Sequence, residues 1–129
     1  MLFPCVALAD THAAASAAYD DVNTAIGLAE AGDTVTVPAG EAEWTAANKV
    51  TVDKAITLQG NGIGSTVITL SGASSLYDTG GATITGFMFL NPTDLTVTAS
   101  FNVAGFRFTG NTWSASGDTH KGQIYIARV

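Results

Sequence analysis

With 129 residues, only 12% of them charged, and a mean hydropathy of +0.28, the chain fits one glycine-rich domain or part of one. Its net charge is −6, and its five basic residues, Lys49, Lys54, Arg107, Lys121 and Arg128, form no stripe, which excludes a phosphate-neutralising nucleic-acid surface. The single Cys5 excludes an internal disulfide and a thiolate metal cluster, and no apolar run reaches the roughly 18 residues of a membrane span.

Residues 1–9 are apolar and end in Ala7-Leu8-Ala9, a small-x-small pattern suited to signal-peptidase cleavage before Asp10. The segment reads as the remnant of an export signal, so the expected location is secreted or extracellular, with the periplasm or a virion surface as variants. An ordered N-terminal arm is the alternative. Residues 10–18 are alanine-rich and read as an extended or loosely helical lead-in in which little function is expected.

From Asp20 or Asp21, whose carboxylates can cap free N–H groups, Val22, Ala25, Ile26 and Ala29 fall at i, i+3, i+4 and i+7. This stripe predicts a short helix over 21–30, stopped by Gly32 in a left-handed conformation. Laid across the first rung of a stack, such a helix would keep an apolar end from pairing.

After residue 32 nothing reads as a helix. Strands are expected over 34–37, 49–52, 56–58, 67–70, around Leu76 and Tyr77, and over 83–90, 95–98, 103–109 and 123–127. Turn signals at 38–40, Asp53-Lys54, 59–64, 71–75 and Gly80-Gly81 separate them. Apolar-x-apolar triplets begin at Val35, Ile56, Phe87 and Phe106, at a mean spacing close to the roughly 20–30 residues of one solenoid turn. Stacked, Val35, Ile56, Phe87 and Phe106 would form one internal column, and Val37, Leu58, Phe89 and Phe108 a second. The longest interval, containing 71–81, should carry an outward loop. Asn61 and Asn111 follow their triplets at the same place, either as amides bonded to turn backbone or as two unrelated turn residues.

Taken in order, the helix, Gly32-Asp-Thr-Val-Thr-Val-Pro-Ala-Gly40, Trp44, Lys54-Ala-Ile-Thr-Leu-Gln-Gly-Asn-Gly62, Val67-Ile-Thr-Leu70 and Ile84-Thr-Gly-Phe-Met-Phe89 make a pattern. Across about residues 20–113 it resembles the N-terminal region of pectate-lyase-like proteins, the pectin lyase fold. The resemblance implies an all-β fold, a right-handed parallel β-helix of about three to four coils with an N-terminal capping helix, residues 10–129 being the N-terminal part of that domain. It also implies an exported polysaccharide-binding or polysaccharide-degrading protein, with this segment mainly scaffold and not catalytically complete. If catalytic, it would be a polysaccharide lyase or glycoside hydrolase acting on a polyuronate-type glycan. The alternative is a non-catalytic structural or adhesive β-helix of the phage tailspike or surface-repeat kind.

The hydrolases of that family carry Asn-Thr-Asp, Asp-Asp, Gly-His-Gly and Arg-Ile-Lys signatures. Here the adjacent aspartates are Asp20-Asp21, in the helix, and neither His12 nor His120 has the required context. No cofactor is evident, and Ca²⁺ enters only through the resemblance. An acidic chain meets an acidic glycan only through a bridging divalent cation, whereas a neutral glycan meets no such barrier.

For a lyase, Arg107 is the candidate proton abstractor or carboxylate clamp, against a solvated surface arginine. Trp113 and Tyr77 are candidate sugar-stacking aromatics, while Trp44 and Tyr125 read as packing residues. Asp78, Asp94 and Asp118 are candidate metal-binding loop carboxylates, although their spacing fits no compact calcium loop. The Gly60-Asn-Gly-Ile-Gly64 run is a turn, since no helix follows it to hold a phosphate. The strand-like Gln-Ile-Tyr-Ile near the C-terminus leads to the expectation that further coils, or another chain, cover that end.

Overall fold

The structure, a computed structural model, describes residues 8–72, 74–90, 97–101, 107–114 and 123–126. It is rich in short strands, all paired in parallel, with one helix among the described residues. In chain order these are β1 (Thr11–Ala13), α1 (Tyr19–Leu28), β2 (Thr34–Thr36), β3 (Gly40–Thr45), β4 (Val50–Val52), β5 (Thr57–Gln59), β6 (Thr66–Ser71) and β7 (Leu76–Asp78). There follow β8 (Thr83–Thr85), β9 (Met88–Leu90), β10 (Val97–Phe101), β11 (Arg107–Phe108), β12 (Thr112–Ser114) and β13 (Gln123–Ile126).

Pairing follows one rule from β2 onward, in that each strand lies beside the strand three places later. The first sheet runs β1-β2-β5-β8-β11, the second β3-β6-β9-β12 and the third β4-β7-β10-β13. In the first sheet the equivalent positions are Thr34, Thr57, Thr83 and Arg107, which sets steps of 23, 26 and 24 residues. Because side chains alternate along a strand, this register stacks like on like. Val35, Leu58 and Ile84 are neighbours on the buried side, as are Ile68 and Phe89 in the second sheet and Val50 and Leu76 in the third.

The buried columns differ from those the triplets suggested. Val35 lies beside Leu58 rather than Ile56, and Phe89 pairs in register with Ile68 and Trp113 rather than with Leu58 and Phe108. Ile56 and Phe87 are buried but sit at bends between strands, where an apolar side chain also turns inward. At Ile56 the bend is a three-residue turn, its N–H donating to the Lys54 carbonyl at 2.9 Å. Phe106 lies outside the described residues.

The expected strand over 83–90 is two strands. Gly86, at φ +80°, breaks it, in a region that L side chains rarely adopt. A Cβ there would also lie 2.7 Å from the carbonyl oxygen of Gly60, the corresponding corner one repeat earlier. The interval 71–81 holds a tight turn, β7 and a second turn rather than an outward loop. Strands β1, β3 and β12 complete the sheets at places where no strand was expected. In β3 the alternation is plain, with Trp44 buried and Glu41 and Glu43 on the other side.

Helix α1 starts and ends two residues earlier than its stripe suggested. Its N-cap is Ala18, with no side-chain cap, so Asp20 and Asp21 act as first-turn charges near the helix N-terminus rather than as caps. Val22, Ala25, Ile26 and Ala29 are all buried, as the stripe required. Two polar side chains fasten the helix. Asn23 donates from Nδ2 to the Lys49 carbonyl and accepts from the Thr51 N–H at Oδ1, the two bonds that a preceding strand would give β4. Lys54 Nζ reaches the carbonyls of Ile26 at 2.9 Å and Ala29 at 2.6 Å, at the C-terminal end of the helix.

Trp44 is fully buried, edge-on to Phe87 and Phe89 with centroids 6.1 and 6.3 Å away, and its indole N–H donates to the Ala17 carbonyl. Phe87 and Phe89 stack at 5.2 Å. The lead-in is therefore tied to the core through Ala17, and it contributes β1 to the first sheet.

Candidate functional site

The outward side of the first sheet follows from its register. With Val35, Leu58 and Ile84 pointing into the core, the residues flanking them point away from it. One row is Thr11, Thr34, Thr57 and Thr83, with Arg107 next in register. The second is Ala13, Thr36, Gln59 and Thr85. Up to the position of Arg107 the face carries hydroxyl, methyl and amide groups and no charge.

Where the second row meets the corner to the second sheet, Ala13, Thr36, Pro38, Gln59 and Asn61 border a shallow groove of about 170 Å³. Two of its backbone N–H groups are already paired, that of Ala14 donating to the Thr36 carbonyl and that of Val37 to the Gln59 carbonyl. The side chains that offer polar contacts to a ligand there are those of Thr36, Gln59 and Asn61. The volume is well below the roughly 300 Å³ at which pockets begin to enclose a whole small molecule. This groove suits part of a longer molecule laid across the surface.

Asp78, offered by the sequence as a metal ligand, is fully buried at the end of β7. Its Oδ1 accepts the N–H groups of Gly80 and Gly81, at 2.9 and 3.1 Å, and Oδ2 that of Ala82, at 3.1 Å. Burial pushes this carboxyl above its ordinary range, against the opposing pull of the amides. Its hydrogen bonds hold the turn that brings Gly80 against the Asp53–Lys54 bend, where a Cβ would lie 2.1 Å from the Lys54 nitrogen. Asp94 and Asp118 lie outside the described residues, as does His120.

Tyr77 is half-buried and pairs in register with Thr51 and Ser100 on the outward side of the third sheet. Trp113 occupies the register position beside Phe89, whose own side chain is fully buried. Arg107 continues the threonine row. The structure thus distributes Tyr77, Arg107 and Trp113 over three different sheets. Of the two asparagines, Asn111 bonds to backbone of the preceding repeat, accepting from the Phe87 N–H and donating to the Ile84 carbonyl at 2.7 Å. Asn61 is exposed at the groove.

No family model, curated protein or solved structure matches the chain.

A second polar group lies at the outer strand of the first sheet. Asp33 is 6% exposed and accepts at Oδ1 from the Asp10 N–H, and at Oδ2 from the Glu30 N–H, all at 2.9 Å. His12 Nε2 stands 3.0 Å from the same Oδ2. The amides of Asp10 and Glu30, and then His12, hold the Asp33 carboxyl down at about 2, so it is ionised in ordinary buffers. Sequence reading passed over this group because Asp10 and Asp33 are 23 residues apart. The signal was Asp-x-His, which puts Asp10 and His12 on one side of an extended segment.

Proposed function

We propose that the three parallel sheets are the faces of a right-handed parallel β-helix, and that the chain is an exported polysaccharide-binding protein. In this reading the segment is scaffold and binding surface, not a complete catalyst. The observation that carries it is the repeat of a flat, uncharged row of Thr34, Thr57 and Thr83, with Thr36, Gln59 and Thr85 beside it, at steps of one coil. Rows spaced by the strand separation of about 4.8 Å offer a periodic polymer the same contacts again and again. The resemblance to pectate-lyase-like proteins supports the same substrate class.

A neutral glycan suits the face better than a polyuronate, because the chain carries net charge −6 and the rows offer no cation before Arg107. Degradation of a polyuronate, assisted by Ca²⁺ and with Arg107 as base, remains the enzymatic version of the proposal. The shallow groove favours binding over it. A rigid adhesive rod is the competing use of the same architecture, and the groove is equally compatible with that use.

Affinity electrophoresis of the full chain through gels holding neutral or acidic polysaccharides tests the proposal. Retardation by at least one neutral glycan is expected, with Thr57→Glu plus Gln59→Glu weakening it about tenfold, the loss of one to two hydrogen bonds. No product of β-elimination should form from polygalacturonate, with or without Ca²⁺. A chain that passes every gel unretarded, or whose retention ignores the double substitution, removes this face as the binding surface.

A further inference from the structure

We propose that Asp10, His12 and Asp33 form a binding site for one divalent transition metal ion of the zinc class, which clamps β1 to the start of β2. The geometry begins with register. Thr11 pairs with Thr34 and His12 with Val35, so Asp10 lies beside Asp33 one position earlier. Alternation then turns Asp10, His12 and Asp33 to the same side of the sheet. One donor atom from each lies within 4.8 Å of the other two, close enough for small side-chain adjustments to bring them around one ion.

One member of the group is buried. Asp33 is more than nine-tenths buried, and its ion-pair partner among the described residues is His12. Lys54, whose neighbour Ala55 accepts the Gly32 N–H beside Asp33, is spent on the carbonyls at the end of α1. Two carboxylates and one imidazole make a donor set that a divalent ion can bridge. Removed from water, the Asp33 carboxylate attracts a bound cation more strongly than a surface carboxylate would.

The donor set selects the ion. One imidazole nitrogen and two carboxylate oxygens suit zinc and its neighbours, whereas Ca²⁺ takes oxygen ligands alone. In the free chain Nε2 donates its hydrogen to Asp33 Oδ2; on binding, the neutral imidazole would carry that hydrogen on Nδ1 instead and turn the Nε2 lone pair to the ion. Asp33 would keep its bonds from the Asp10 and Glu30 amides, which fix the carboxylate in place as outer-sphere partners do. Asp10 is exposed, leaving that side open to water to complete the coordination. This site is separate from the glycan face, and its failure would leave that proposal standing.

Isothermal titration of the metal-free full chain with Zn²⁺, and separately with Ca²⁺, tests the site, with thermal denaturation as a second readout. One Zn²⁺ per chain and a raised melting temperature are expected, with Ca²⁺ at least tenfold weaker. Asp10→Asn keeps the backbone N–H that bonds Asp33, so it should fold normally. It should nevertheless weaken Zn²⁺ at least tenfold, and His12→Gln should do the same. Zinc affinity unchanged in both variants, no zinc-dependent shift, or Ca²⁺ binding as tightly as Zn²⁺ would each overturn the assignment.

Discussion

Asp78 shows how a carboxylate can sit inside a stack of apolar side chains. In register it lies between Val52 and Phe101, where an apolar residue would be the ordinary choice. It is retained because the turn after β7 aims the N–H groups of Gly80, Gly81 and Ala82 inward, and no backbone carbonyl is positioned to take all three. Asp78→Ala would leave the Gly81 and Ala82 donors unpaired, while Gly80 keeps its 3.2 Å bond to the Val52 carbonyl, at a cost of roughly 3 kcal/mol. The pH response follows from linkage. A carboxyl whose folded pKa lies above its unfolded value binds its proton more tightly in the folded chain, so its contribution is greatest at low pH. It is lost as pH rises from the unfolded value, near 3.8, through the folded one. Asp33 acts in the opposite sense, stabilising above about 3.8 and losing that contribution as pH falls toward 2. Denaturation midpoints of the parent and Asp78→Asn, compared between about pH 4 and 8, should therefore converge or cross as pH rises. A difference constant across that range would mean that Asp78 is ionised as easily folded as unfolded.

At the level of elements, α1 is the part that takes the place of a missing neighbour. Its apolar stripe was legible because Val22, Ala25, Ile26 and Ala29 are local to one segment. The two attachments were not, since Asn23 and Lys54 act on partners about 25 residues away and only the register of β4 and β5 brings them there. Lys54→Met should cost about 1–2 kcal/mol, the value of a charged donor at helix carbonyls. Hydrogen exchange locates the effect. The amides of Val22, Ala25 and Ile26 should exchange faster in the variant while those of Val35 and Leu58 keep their protection, and equal acceleration in both sets would show that Lys54 stabilises the whole fold rather than the helix. Similar reasoning explains the missed strands. Glu41-Ala-Glu-Trp44 alternates as clearly as any strand in the chain, but it is half charged and follows Pro38-Ala-Gly40, so composition hid what periodicity carried. The division of 83–90 was legible too, because Ile84 and Phe87, both buried, are an odd number of residues apart and a continuous strand cannot bury both on one side.

For the whole molecule, the β-rich character could be read from short strands and frequent turns and the parallel pairing was implied by the family resemblance, but the order of pairing could not be read. Triplets gave a repeat length, while the register depends on which apolar residue of each triplet lies in a strand and which in a bend. That register makes the repeat testable. Thr57 and Thr83 are equivalent, so excising residues 57–82 removes β5, β6 and β7 and should let β8 pair with β2, β9 with β3 and β10 with β4. Buried neighbours stay apolar, with Ile84 meeting Val35 and Phe89 meeting Ala42. Excising residues 57–69 instead removes about half a repeat and sends Leu70 and the strands after it to the wrong sheet. If each repeat is stabilised mainly by its neighbours, the first deletion keeps a single cooperative thermal transition at a lower temperature, and the second loses it. Calorimetry of the two deletions distinguishes this from a fold in which the three sheets form one indivisible core, because that arrangement would lose its transition in both.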